Sequence, residues 1–156
     1  MNPCPCGHAG DPHRACRCTP DQIARYRARL SGPLLDRVDL TVEVGAIPPA
    51  ELVGGARGEG SAAVRARVAA ARTLQLDRQG RPNARIEAGE VEALCAPDAA
   101  GEKLLRQAIG GLKLSARGYH RVLRVARTLA DLAGAGRPGP AHIAEAIQYR
   151  RSLDSR

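Results

Sequence analysis

The chain has no phenylalanine and no tryptophan, and its only aromatic rings besides histidine are Tyr26, Tyr119 and Tyr149. A core must be filled by Leu, Val, Ile and Ala, which bury less area each and leave modest stability from packing. Aromatic platforms for base stacking, the usual device of single-strand binders, are excluded as a main mode of recognition. No apolar run approaches the roughly 18 residues of a membrane span, so no membrane partner is expected. No signal peptide stands at the start. These two absences place the thiols in a reducing cytoplasm, where structural disulfides are rare. A phosphate loop of the form G-x-x-x-x-G-K-[ST] is also missing, since GGARGEGSAA lacks the lysine and the spacing.

Basic side chains, by contrast, are plentiful. The 156 residues carry a net charge of +8, and of 24 basic side chains only Lys103 and Lys113 are lysines. Arginine forks suit bidentate contacts with phosphate and carboxylate. The charge fits a polyanion partner without saying which, and an arginine-rich genome gives the same composition. The length fits one domain, or one domain with a small appendage.

The segment NPCPCGHAGDPHRACRC holds four of the five cysteines, as the close pairs Cys4/Cys6 and Cys16/Cys18. Zinc takes four soft ligands in a tetrahedron, and two pairs joined by a turn supply them with little chain. Gly10-Asp11-Pro12 provides the turn signal. His8 or His13 could replace one thiolate. A disulfide within C-x-C is strained by bridge geometry, and cross-pairing needs an oxidising compartment. The reading is a closed structural metal with no open position for catalysis. Cys95, among apolar neighbours in EVEALCAPD, reads as core.

After the cysteines, Thr19 and Pro20 start a helix as N-cap and first residue, with Gly32 as its stop. Ile23, Tyr26 and Leu30 share one face of it, Arg25 and Arg29 another. Val38, Leu40, Val42 and Val44 alternate with Asp39, Thr41 and Glu43, which predicts one strand. Residues 45–60 read as a Gly/Pro-rich linker. The rest is helical. Residues 61–76 align Val64, Val68 and Ala71, and GEVEALCA makes a short helix. PDAAGEKLLRQAIGG groups Leu104, Leu105, Ala108 and Ile109. Residues 115–133 carry a stripe of Val122, Val125, Ala126, Leu129, Leu132 and Ala133, with Arg117, Arg121 and Arg124 on another face. A last helix carries Ile143 and Ile147. The expected fold is mainly α: a Cys-rich zinc loop, a helix, one residual strand, then a helical bundle of about four or five helices.

NPCPCG, CRCTPDQIARYRARLSGPLLDRVDL, LSARGYHRVLRVARTLADLAG and HIAEAIQYR together resemble the carboxy-terminal part of the magnesium-chelatase-like AAA+ ATPases, in the subgroup of bacterial competence proteins. The resemblance covers nearly the whole chain and is weakest over residues 45–90. It implies that Asn2 is the sensor 1 residue that orients the attacking water. It implies that Arg37, in LLDR, is an arginine finger reaching the γ-phosphate bound by the next subunit, and that Arg117 is the sensor 2 residue contacting ATP in its own subunit. Arginine is suited to both tasks because its charge does not depend on a proton. The four cysteines fall in the family's insertion after sensor 1.

The resemblance further implies a truncated AAA+ module. Residues 1–45 would end the core, 46–60 would be the linker and 61–156 the helical lid. Walker A and Walker B, and with them ATP and magnesium binding, would lie in a missing nucleotide-binding half that also supplies the partner strands. The parent is expected to be a homo-hexameric motor that moves on DNA, with branch migration in natural transformation and recombination as its activity. The isolated chain is expected to be inactive. Two alternatives stand beside it. One is a stand-alone zinc-stabilised DNA-binding module, motivated by the Arg25/Arg29 and Arg121/Arg124 faces. The other is a magnesium chelatase subunit of tetrapyrrole synthesis.

Overall fold

The computed structural model describes residues 1–35, 37–45, 47, 58–112 and 114–154, with no side chain described at 112 or 151–154. The expected linker therefore lies outside the described residues except at Ile47 and 58–60. The described chain is mainly helical. The order is α1 (Pro20–Arg27), α2 (Gly32–Leu35), α3 (Ser61–Gln79), two 3-10 turns (Asn83–Arg85 and Ala88–Glu90), α4 (Val91–Leu94), α5 (Ala99–Leu112), α6 (Ala116–Leu132) and α7 (Pro140–Asp154).

Local chemistry sets the helix ends. Thr19 caps α1 through a capping box: its hydroxyl accepts from the Gln22 N–H at 3.3 Å, and the Gln22 side chain accepts from the Thr19 N–H at 3.0 Å. α1 is shorter than Gly32 predicts, because the Arg29 and Leu30 N–H groups turn back to Tyr26 and Arg27 and close it. α3 ends where Gly80, at φ +69°, donates to the Leu76 carbonyl. Ser115 caps α6 by accepting from the Gly118 N–H at 3.0 Å. α5 starts against the 138–139 loop, where a Cβ on Gly101 would stand 3.0 Å from the Pro138 carbonyl oxygen. A side chain there would push the 138–139 backbone back by a few tenths of an ångström.

α6 is the central helix, packed against α7, α3 and the turns between α3 and α4. The core is Ile86, Val91, Cys95, Leu105, Val122, Leu123, Ala126, Ile143, Ala146 and Ile147. It is aliphatic throughout, as the composition demands. The buried face of α6 differs from the expected stripe. Leu123, Ala130 and the charged pair Arg127 and Asp131 are buried, while Leu132 is exposed. The face is rotated because Arg127 and Asp131, four apart, pair with each other and can enter the interior together. On α3 the expected Val64–Val68–Ala71 face is corrected too. Ala71 and Gln75 are buried, but Val64 and Val68 are exposed, as are all of residues 61–70.

The predicted strand is not there. Residues 38–45 have no strand pairing, and no strand occurs among the described residues. Val42 and Val44 are exposed. An alternating pattern makes a strand only beside a second edge, and the described chain offers none. The segment instead lies along the bundle, with the Thr41 N–H on the Tyr149 carbonyl at 3.0 Å.

Asp131 holds the bundle's polar interior. Its side chain has no exposed surface, and it accepts from Arg78 at 2.8 and 2.9 Å, Asn83 at 2.8 Å and Arg127 at 2.6 and 3.0 Å. Burial pushes its carboxyl up, but the bonds from Arg78, Arg127 and Asn83 outweigh that and hold it below the ordinary carboxylate range. Asp131→Ala should cost about 3–5 kcal/mol, because it strands a buried guanidinium. Urea unfolding at neutral pH measures it. The depressed group stabilises the fold above its unfolded value of about 3.9 and loses that contribution as pH falls through its lower folded value. The gap between wild type and Asp131→Asn should therefore be full above about pH 4 and close only under stronger acid.

Candidate metal centre and arginine sites

Turn geometry brings the four cysteines together. The Gly7 N–H bonds the Cys4 carbonyl at 3.1 Å, and Gly7 and Gly10 both sit at φ +83°. A side chain is strained there, so the two tight corners are glycine's work. Asp11 accepts from the His13 and Arg14 N–H groups at 2.8 and 3.2 Å, which closes the loop and returns the chain to Cys16.

The sulfurs of Cys4, Cys6, Cys16 and Cys18 all lie within 4.8 Å of one another. Cys4 to Cys6 is 3.4 Å, Cys6 to Cys16 3.6 Å and Cys4 to Cys16 3.7 Å. No pair is at bonding distance, and all five cysteines are free. Metal–sulfur bonds of about 2.3 Å in a tetrahedron set sulfur–sulfur edges of about 3.8 Å, so the set fits one metal ion. The Ala9 N–H points at the Cys4 sulfur at 3.3 Å. Backbone N–H groups of His8 and Arg17 bring the Cys6 thiol down to about 6. At Cys18 the Cys6 backbone favours the thiolate, but burial and the neighbouring sulfurs outweigh it and push the thiol up to about 12. A bound metal displaces the remaining protons. His8 and His13 are not ligands. His8 faces Asp11 at 3.3 Å and His13 is exposed. Cys95 is core, as read, and burial pushes its thiol up to about 11.

The three motif residues all stand exposed. Asn2 is exposed beside Gly7. Arg37 follows α2 with an exposed side chain, and Asp36 of the same motif lies outside the described residues. Arg117 stands exposed in the first turn of α6. A contact the sequence reading did not name links the last two elements. Arg121, one turn after Arg117, donates to the Arg37 carbonyl and to Asp39 at 2.8 Å. Arg150 of α7 donates to the Val38 carbonyl at 3.1 Å. Arg124 donates to the Ile86 carbonyl at 2.6 Å. The four-residue step from Arg117 to Arg121 was the only signal for the clamp. Arg121 and Arg124, both half-buried, are thus engaged on backbone carbonyls and on Asp39.

Residues 1–52 match the family described as magnesium chelatase, subunit ChlI, and residues 58–150 match magnesium chelatase, subunit ChlI C-terminal. The chain belongs to the magnesium chelatase ChlI family. Among curated proteins it is 45% identical over 151 residues to competence protein ComM of Haemophilus influenzae, covering 96% of this chain and 29% of that protein. It is 44% identical to YifB of Salmonella typhimurium and 42% to YifB of Escherichia coli, over the same shares. The chain thus spans about 29% of the length of these relatives. Among the described residues no helix is long and apolar enough to cross a membrane.

Under reducing conditions, native mass spectrometry of the chain supplied with zinc should give one ion per chain, and none for Cys16→Ser/Cys18→Ser. The bundle melting temperature should stay unchanged in that variant, because no cysteine of the loop belongs to the bundle core.

Proposed function

We propose that the chain is the carboxy-terminal part of an AAA+ motor that couples ATP hydrolysis to movement on DNA. Its activity is branch migration in transformation and recombination, and its setting the cytoplasm. Residues 1–45 close the ATPase core, 46–60 link, and 61–156 form the lid. Zinc in the four-thiolate site staples a loop that has almost no apolar core of its own. Thiolate softness and closed four-coordination favour zinc over hard cations.

The observation that carries the reading is the clamp between Arg37 and α6. It sets an exposed arginine beside the helix that bears Arg117, itself exposed. In a homo-hexamer Arg37 reaches the γ-phosphate held by the next subunit, Arg117 contacts ATP in its own, and Asn2 orients water. ATP and magnesium bind a nucleotide-binding half in the longer protein. Developing phosphoryl charge is met there by fixed arginines. The likeness to a protein named for competence favours this over the tetrapyrrole reading. In that second reading the same fold serves magnesium insertion.

In the longer protein, Arg37→Ala and Arg117→Ala should each lower the ATP hydrolysis rate by about 100-fold or more. A steady-state phosphate-release assay with and without DNA measures this. Near-normal hydrolysis in both variants sinks the assigned roles, and hydrolysis indifferent to DNA sinks the DNA motor. The 156-residue chain alone should release no phosphate.

A further inference from the structure

The metal loop presents charge that the fold does not use. A cleft of about 580 Å³ is lined by Cys6, His8, Arg14, Ala15 and Arg17. Arg14 and Arg17 are exposed, and among the described residues neither guanidinium has a carboxylate partner. Asp11, the acid of the same loop, is spent on the His13 and Arg14 N–H groups and on His8. Four arginines of α6 and α7 are engaged instead. Arg121, Arg124, Arg127 and Arg150 all bond carbonyls or carboxylates of the bundle.

The basic surface continues onto α1. Thr19 caps α1 directly after Cys18, and Arg27 donates to the Pro3 carbonyl at 3.4 Å, so loop and helix form one piece. Arg25 is exposed on that helix and Arg29 in the turn that closes it. We infer that the cleft beside the metal centre, with Arg14 and Arg17 as its anchors and α1 as its extension, binds the phosphodiester backbone of duplex nucleic acid.

The chemistry favours that ligand. Several separate guanidiniums on an open surface match a polyanion with charges spaced along it better than one compact phosphate. The only aromatic ring on this surface besides histidine is Tyr26, and Arg29 lies over it, 5.9 Å from the centroid. Base stacking is thus not offered, and contact falls to the backbone, independent of sequence. The inference deepens the DNA reading above by giving it a surface, and it is testable without hydrolysis.

The test is fluorescence anisotropy of the zinc-loaded chain with a short labelled DNA duplex across a salt series. Arg14→Ala/Arg17→Ala should weaken binding about tenfold or more at low salt and reduce the slope of log affinity against log salt by roughly 2, close to 0.9 per lost phosphate contact. Arg14→Lys/Arg17→Lys should restore most of that slope, since each charge returns. Metal content is read on every sample. If the alanine pair lowers it, Arg25→Ala/Arg29→Ala, away from the ligands, must show the slope change instead. The inference is overturned by a chain that binds no duplex, by alanine pairs that bind as wild type does, or by polyglutamate bound as tightly as duplex. The last outcome would point to an acidic protein. Wild-type-like binding by the alanine pairs removes this surface and leaves the motor standing, whereas DNA-indifferent hydrolysis in the longer protein removes the motor.

Discussion

Asp131 sits where α3, the first 3-10 turn and α6 meet, and five N–H bonds converge on its carboxylate. Charges taken out of water are expensive, and this one is tolerable only because Arg78, Asn83 and Arg127 are all in place. Asn83 also donates to Thr128 at 3.0 Å, and Arg127 reaches the carbonyls of Ala135 and Gly136. The network therefore fixes how α3 returns to α6 and how α6 turns toward α7. An aliphatic core without Phe or Trp has few large shapes to interlock, so directional bonds set the register that packing leaves loose.

The same logic recurs at the edge of the bundle. Residues 37–41 have no strand partner, yet three of their backbone groups bond to the bundle. Arg121 takes the carbonyl of Arg37 and Arg150 that of Val38, while Tyr149 accepts from Thr41. Long arginine side chains substitute for a neighbouring strand. The segment's apolar residues lean on α6, where Leu40 and Val42 share a groove with Val125, Leu129 and Leu132. This is where the rotated apolar stripe of α6 finds its use.

The helices were legible because their signals are local. Thr19, Ser115 and Gly80 act within one turn of where they stand, and the 3.6-residue spacing of Ile143 and Ile147 names their face. The cysteine pairs were legible for the same reason: glycine corners and an Asp11 turn close the loop within fifteen residues. The faces of α3 and α6 were not. Hydrophobicity alone ranks Leu132 above Arg127 for burial, and nothing within one turn announces that Arg78, far back in the chain, will neutralise Asp131.

The sequence by itself determined the helical content, the helix starts at Thr19 and Ser115, the aliphatic core and the four-thiolate loop, because each depends on contacts a few residues apart. Tertiary structure decided the rest. It chose which face of α6 is inside and turned Arg121 and Arg124 from surface charge into struts. It also left residues 38–44 without a strand ladder, since a ladder needs a neighbour that an alternating pattern cannot supply. Burial of a charge and pairing of a strand are both properties of what stands opposite, and only the folded chain says what that is.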